Sequence, residues 1–153
     1  MLALTFQVGS ARVAIDVARI REVVPRVRLA PVTGGQSWIA GQFVYRGRVV
    51  PVVDLHRLTG AGECPPHLSS RIILLPYLPD SPESLIGLLA TQVADVRDIP
   101  MTQMPPAAGR IEQPRLGQAI PDGAGVLHIL DPDSLLRQVA DLSGEPIVAG
   151  ALG

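Results

Sequence analysis

Residues 43–55 read FVYRGRVVPVVDL, and this stretch decides the fold class. Two runs of β-branched and aromatic residues flank Arg46-Gly47-Arg48, which predicts a strand, a tight turn and a second strand that closes at Asp54. The predicted turn presents a cation at the tip of a hairpin. Nothing beside it resembles a nucleophile, a metal cluster or a phosphate-binding glycine motif, so we expect the hairpin to recognise a partner.

The composition is that of one globular domain. The 153 residues are 47% hydrophobic and 18% charged, and the 15 glycines and 15 prolines favour short strands and turns over long helices. A formal charge of -1 gives no reason to expect nucleic acid or an anionic membrane as a partner. The chain also has no basic leader and no apolar run long enough to cross a bilayer, so we expect a cytoplasmic protein without direct membrane insertion.

A loose internal repeat predicts two similar halves. Residues 20–23 are echoed at 93–96, and residues 41–54 are echoed at 117–131. In the second pair Asp122-Gly123 falls opposite Arg46-Gly47. Short strands at regular spacing are typical of barrels, and the duplication predicts two of them.

Turn-forming and capping residues predict where the strands, loops and helices lie. Besides the hairpin already described, strands are expected at 4–8, 13–17, 20–24, 71–75, 85–90 and 93–99. Residues 76–84 are expected to form a hairpin loop, and 100–115 the longest loop. Asp54 and Asp131 are expected to cap short helices, the second of which carries an apolar stripe and should lie on a barrel. Val23 is expected in the core.

The segment RGRVVPVVDL resembles CheW-type coupling proteins, which carry an Arg-Gly turn followed by V-V-P-V-V-D-L. The resemblance covers roughly residues 4–139 and implies an all-β fold of two five-stranded SH3-like barrels. On this basis residues 1–142 form a single domain of two interlocked barrels. One comprises roughly 12–70 with later strands, and the other 71–142 with the N-terminal strand region exchanged. Residues 143–153 are expected to be a flexible tail.

The family joins chemoreceptors to a CheA-type histidine kinase and catalyses nothing itself. The resemblance therefore implies a non-enzymatic adaptor without cofactors, whose partners are the helical-hairpin tip of a chemoreceptor and the regulatory domain of the kinase. The family's coupling arginine falls on Arg46, and the family's receptor-binding groove lies beside Ile20, Glu22 and Gly41. The candidate partner-binding residues are Arg46, Ile20, Glu22, Gly41, Tyr45 and Gly47.

Two other functional classes compete with the adaptor. Small barrels also bind single-stranded nucleic acid or small ligands, although a neutral charge and a single Trp disfavour this alternative. Asp54 and His56 could suggest a hydrolase, but helix capping explains Asp54 better. The histidines and Cys64 show no metal-ligand spacing, so no metal is expected, and Cys64 is interpreted as a loop thiol.

The chain departs from the family at three places. The loop that is Pro-rich in relatives reads APVTGGQ at 30–36, the usual Asn-Leu before Arg-Gly is Val44-Tyr45, and Thr91 replaces an acidic residue. These differences suggest a divergent member that serves a specialised pathway, such as Wsp-type surface sensing or type IV pilus control.

Overall fold

The computed structural model describes residues 1–66, 68–78, 81–105 and 115–143. The strands are β1 (Leu2–Val8), β2 (Ala11–Asp16), β3 (Glu22–Pro25), β4 (Ile39–Tyr45), β5 (Arg48–Asp54), β6 (Arg71–Leu78), β7 (Ser81–Asp98), β8 (Gln118–Asp122) and β9 (Gly125–Ile129). The α-helices are α1 (Leu55–Leu58) and α2 (Pro132–Ser143), with 3₁₀ turns at Val17–Arg19 and Met101–Gln103. The predicted tail beyond Ser143 lies outside the described residues.

The long strand β7 belongs to two five-stranded sheets. Its first half pairs with β6 and β5, which extend the sheet to β3 and β4 and form the first barrel. Its second half pairs with β1, and β2, β9 and β8 follow to form the second barrel. Gln92 has a φ of 50° at the point where the strand passes from one sheet to the other. The two strands predicted at 85–90 and 93–99 are therefore parts of one long strand.

The first hairpin of each half of the chain belongs to the barrel formed mainly by the other half. The β1–β2 hairpin lies with β8 and β9, and β2 runs parallel to β9. In the same way the β6–β7 hairpin lies with β3, β4 and β5, and β7 runs parallel to β5. Strands of the first barrel thus come from residues 22–90, and those of the second from 2–16 and 91–129.

The first barrel closes through the segment that follows β3. Ala30 donates its N–H to the carbonyl of Gln42 at 2.8 Å, and Gln42 donates to the carbonyl of Ala30 at 2.9 Å. This pair covers the outer edge of β4, which would otherwise expose unpaired backbone groups.

The largest apolar cluster lies between the barrels and includes residues of both, such as Phe6, Ile15, Ile73 and Leu88. Helix α2 packs on this cluster through Leu135 and Val139, which are buried as the apolar stripe predicted. Two smaller clusters fill the individual barrels. The barrels therefore share one core, so neither is expected to be stable alone.

Both predicted caps form. The Asp54 carboxylate accepts hydrogen bonds from the N–H groups of His56 and Arg57 at 2.9 and 3.4 Å. The Asp131 carboxylate accepts one from the N–H of Asp133 at 3.1 Å. Helix α2 is further fixed by Arg19, whose guanidinium contacts both carboxylate oxygens of Asp133 at 2.7 and 3.2 Å. None of the described helices is long and apolar enough to cross a membrane.

Two predictions about local structure are wrong. Residues 76–84 are mostly strand, because β6 continues to Leu78 and β7 already begins at Ser81. Pro76 is tolerated there since the ladder between β3 and β6 ends at Leu74, so the missing N–H is not needed on that side. Val23 is 37% exposed, whereas Val24 packs on the core of the first barrel. Two adjacent valines hide the register of a strand, because alternation puts only one of them inside.

Candidate functional site

The tip of the β4–β5 hairpin is a two-residue turn. Tyr45 pairs directly with Arg48, so Arg46 and Gly47 form the connection. Their φ angles are 48° and 80°, and positive values at both central residues are typical of a type I′ turn. Glycine adopts this conformation without steric cost, whereas Arg46 is an uncommon residue in it.

Arg46, Tyr45 and Glu22 form one cluster, which we call the tip cluster. The Tyr45 hydroxyl donates a hydrogen bond to the Glu22 carboxylate. The Arg46 guanidinium lies over the Tyr45 ring at 5.2 Å from its centroid, and one of its nitrogens is 4.0 Å from a Glu22 oxygen. The register of β3 beside the hairpin thus brings together three predicted site residues.

Tyr45 anchors the tip cluster to the barrel. Its ring meets Phe43 edge-on at 6.5 Å between centroids, and both rings pack against the core of the first barrel. The hydrogen bond to Glu22 raises the pKa of Tyr45, because it stabilises the protonated phenol. A phenol is protonated at neutral pH, so the Tyr45 hydroxyl is a donor there. The Arg46 side chain is 76% exposed and projects from this base.

The outer face of the same hairpin is apolar. Val44 and Val49 are cross-strand partners and are 67% and 47% exposed. Arg48 beside them forms a salt bridge with Glu83 of β7. The hairpin therefore offers an apolar face next to a charged tip, a combination common in the contact surfaces of protein complexes.

Ile20 and Gly41 have structural roles of their own. Ile20 packs partly buried against the core between the barrels, two residues before Glu22. Gly41 is buried with a φ of 150°, and an added Cβ would lie 2.6 Å from the Ala30 carbonyl oxygen and 2.7 Å from Leu29 Cβ. A glycine is therefore required where the segment after β3 crosses β4. A contact of either residue with a partner stays a prediction.

Asp54, His56 and Cys64 meet in a buried cluster that the sequence spacing does not suggest. Each offers one possible metal-ligand atom, and the three atoms lie within 4.8 Å of one another. The Asp54 carboxylate that caps α1 also accepts the Cys64 N–H at 2.9 Å, and His56 Nε2 accepts the Gly9 N–H at 2.9 Å. The acceptor role of Nε2 leaves the proton on Nδ1, so neither ring nitrogen presents a free lone pair to a metal. We interpret the cluster as structural.

Cys64 lies in the loop between α1 and β6, as predicted, but its side chain is buried. It is 1% exposed and packs in the core of the first barrel, because Asp54 and Arg26 hold its backbone in place. Burial raises the pKa of Cys64 to about 11, so the thiol is protonated and unreactive at neutral pH. His67 lies outside the described residues.

The second barrel has an ionic cluster at the corresponding hairpin. Asp122, in the β8–β9 turn region, contacts Arg97 at 2.8 Å and Arg12 at 2.5 Å. The two guanidinium groups, Arg97 foremost, lower the pKa of Asp122. The repeat placed this carboxylate opposite Arg46, but only the fold brings the two arginines to it. Asp122 is thus satisfied internally, whereas Arg46 projects outward.

A profile of the CheW-like domain matches residues 2–140. The chain belongs to the CheW-like domain family. The predicted family is therefore confirmed over nearly the whole chain.

Several curated proteins resemble this CheW-like chain. The chemotaxis protein CheW of Thermotoga maritima is 23% identical over 143 residues, which cover 92% of this chain and 91% of that protein. Protein FrzA of Myxococcus xanthus is 31% identical over 105 residues, 68% of this chain and 63% of FrzA. Protein PilI of Pseudomonas aeruginosa is 22% identical over 111 residues, 70% of this chain and 60% of PilI. The match thus spans less than two thirds of FrzA and PilI.

A solved structure agrees on the fold. The scaffolding protein TtCheW from Thermoanaerobacter tengcongensis superposes with a TM-score of 0.71 at 22% identity, covering 88% of this chain and 86% of that chain. This likeness confirms the predicted all-β fold with SH3-like barrels.

Proposed function

We propose that this CheW-like protein is a non-catalytic adaptor that couples a chemoreceptor to a CheA-type histidine kinase in a chemosensory complex. The observation that carries the proposal is the match of the CheW-like domain to residues 2–140. A rigid body with a shared core suits a scaffold, because it holds two partners at a constant distance and angle.

The first partner is a helical hairpin at the cytoplasmic tip of the receptor. Such a helix is expected to bind by laying apolar residues along the protein, with charged residues fixing its register. Ile20 and Glu22 come from the edge of the first barrel, and Glu22 belongs to the tip cluster. These positions support a receptor contact next to Arg46.

The second partner is the regulatory domain of the CheA-type kinase. The apolar face of the hairpin, Val44 and Val49, supports a second contact because neighbouring exposed apolar side chains are common in protein interaction sites. Weak individual contacts would suffice in an array, since multivalency raises the apparent affinity.

Replacement of Arg46 tests the proposal. Arg46→Ala should strongly reduce the ternary assembly, and Arg46→Lys should restore only part of it, because an ammonium keeps the charge but loses the two-pronged geometry. The measurement is co-sedimentation of the purified protein with membranes that contain its chemoreceptor, in the presence of its kinase. Arg137→Ala is the matched control, because it removes the same charge from an exposed position on α2.

Melting curves separate the binding role from folding. Arg46 is exposed, so its replacement by Ala should leave the melting temperature nearly unchanged. Wild-type assembly by Arg46→Ala would refute the site. A fall in melting temperature that matches the loss of assembly would make Arg46 a structural residue.

The alternative function, binding of single-stranded nucleic acid or a small ligand, predicts a different result. Affinity for single-stranded DNA that falls steeply with salt would favour that alternative, because phosphate contacts release counterions. The adaptor should show no such affinity at any salt concentration.

A further inference from the structure

In the tip cluster, the Glu22 carboxylate is close enough to Arg46 to compete with a partner for the guanidinium. Glu22 and Arg46 are near neighbours, yet their closest nitrogen-oxygen distance is 4.0 Å, at the outer limit of an ion pair. A glutamate free to move would be expected to close this gap and form a two-pronged pair with the guanidinium. Such a pair would occupy the donors that a partner's carboxylate needs.

Tyr45 contacts both of these charged groups. Its hydroxyl donates to the same Glu22 oxygen that is nearest to Arg46, and its ring supports the Arg46 guanidinium from below. The ring itself is held by Phe43 and by the core of the first barrel. One side chain therefore restrains both partners of the potential ion pair.

The backbone adds a second restraint. The φ of 48° at Arg46 belongs to a tight turn, which limits the directions in which its side chain can leave the hairpin. Apart from the Tyr45 ring and the distant Glu22 oxygen, Arg46 makes no polar contact with the part of the chain that the structure describes. Its outward donors are therefore available.

We propose that Tyr45 is a positioning residue that keeps Glu22 from neutralising Arg46 and directs the guanidinium toward a carboxylate on the partner. The inference rests on the proposed function and specifies its chemistry: the partner presents an Asp or Glu side chain to the tip of the hairpin.

Three variants test the inference. Tyr45→Phe keeps the ring and removes the hydroxyl, so Glu22 is released to compete for Arg46, and partner affinity should fall about fivefold, the scale of one exposed charge contact. Tyr45→Leu also removes the platform and should lose more. The double variant Tyr45→Phe with Glu22→Gln removes the competing carboxylate and should bind the partner more tightly than Tyr45→Phe alone. The probes are the chemoreceptor membranes and purified kinase used for Arg46.

A measurement without any partner checks the same geometry. The chain has two tyrosines, so Tyr77→Phe leaves Tyr45 as the sole phenol. In that background an ultraviolet titration should show a raised pKa for Tyr45, and Glu22→Gln should return it toward its usual value of 10.0. A Tyr45 hydroxyl that does not donate to Glu22 would not respond to this substitution.

The outcomes distinguish this inference from the proposed function. If Arg46→Ala binds like the wild type, the proposed site fails and the inference fails with it. If Arg46→Ala loses binding while Tyr45→Phe and Tyr45→Leu bind normally, the inference alone is wrong. It is also wrong if the double variant binds no better than Tyr45→Phe, or if Glu22→Gln leaves the pKa of Tyr45 unchanged. Melting curves of each variant establish that the folded protein is compared.

Discussion

Arg46 occupies a backbone conformation that favours glycine, although its side chain faces solvent. A non-glycine residue at a positive φ costs on the order of 1 kcal/mol, and exposed surface contacts repay little of that cost. Its neighbour Gly47 has a φ of 80° with nothing within 4 Å of an added Cβ, so its requirement is conformational rather than steric. A residue kept against its backbone preference is typical of a functional position.

Arg46→Gly should therefore separate stability from function. Because glycine adopts the turn without strain, the free energy of unfolding should stay the same or rise, while assembly with receptor and kinase is lost. Denaturant unfolding and co-sedimentation of the same preparation provide the two readouts. Gly47→Ala is the converse control and should lower stability by about 1 kcal/mol. If Arg46→Gly destabilises the fold by as much as Gly47→Ala, the arginine contributes to the turn itself.

At the scale of elements, the two helix caps look alike in sequence but differ in surroundings. Asp131 accepts one N–H at the start of α2. Asp54 is 1% exposed and, besides two N–H groups of α1, accepts the N–H of Cys64 ten residues later. One carboxylate thus begins a helix and also holds the loop that follows it.

Asp131→Ala should cost on the order of 1 kcal/mol, the usual value for a lost N-cap. Asp54→Ala should cost about 2 kcal/mol more, because the buried Cys64 N–H loses its partner as well. Urea unfolding of both variants measures the difference. Equal losses would mean that the bond to Cys64 contributes nothing. Weaker partner binding by Asp131→Ala at unchanged stability would instead give that carboxylate a contact role.

At the scale of the whole molecule, His56 joins the two barrels. It lies on α1 of the first barrel and accepts the N–H of Gly9, which is in the β1–β2 turn of the second. Its side chain is 3% exposed. Burial lowers the pKa of His56 from its usual 6.5, Arg26 adds to this effect, and Asp54 opposes it. Protonation of Nε2 would also remove the acceptor for Gly9.

Stability should therefore fall on mild acidification. The unfolded chain takes up a proton near pH 6.5, whereas the folded protein resists it, so the free energy of unfolding decreases as the pH falls below 6.5 toward the lowered folded pKa. Denaturant unfolding at about pH 7.5, 6 and 5 should show the decline. His56→Gln, which keeps an acceptor but does not titrate, should show a flatter profile over this range. Equal slopes for the two proteins would contradict the assignment.

Much of the architecture and the site was readable from local sequence. The V-V-P-V-V-D-L run, the Arg46-Gly47 turn and the Asp caps depend on backbone preferences and short-range hydrogen bonds. The hairpin, both helices, the repeat and the family could therefore be predicted without knowledge of the fold. Strand register and the pairing of distant segments depend on which faces are buried together, which a single chain does not display. The fold is therefore needed to show that Val24 rather than Val23 faces inward, that Cys64 lies next to Asp54, and that β7 belongs to both barrels. For the same reason it alone places Glu22 under the hairpin tip, where Tyr45 contacts both Glu22 and Arg46.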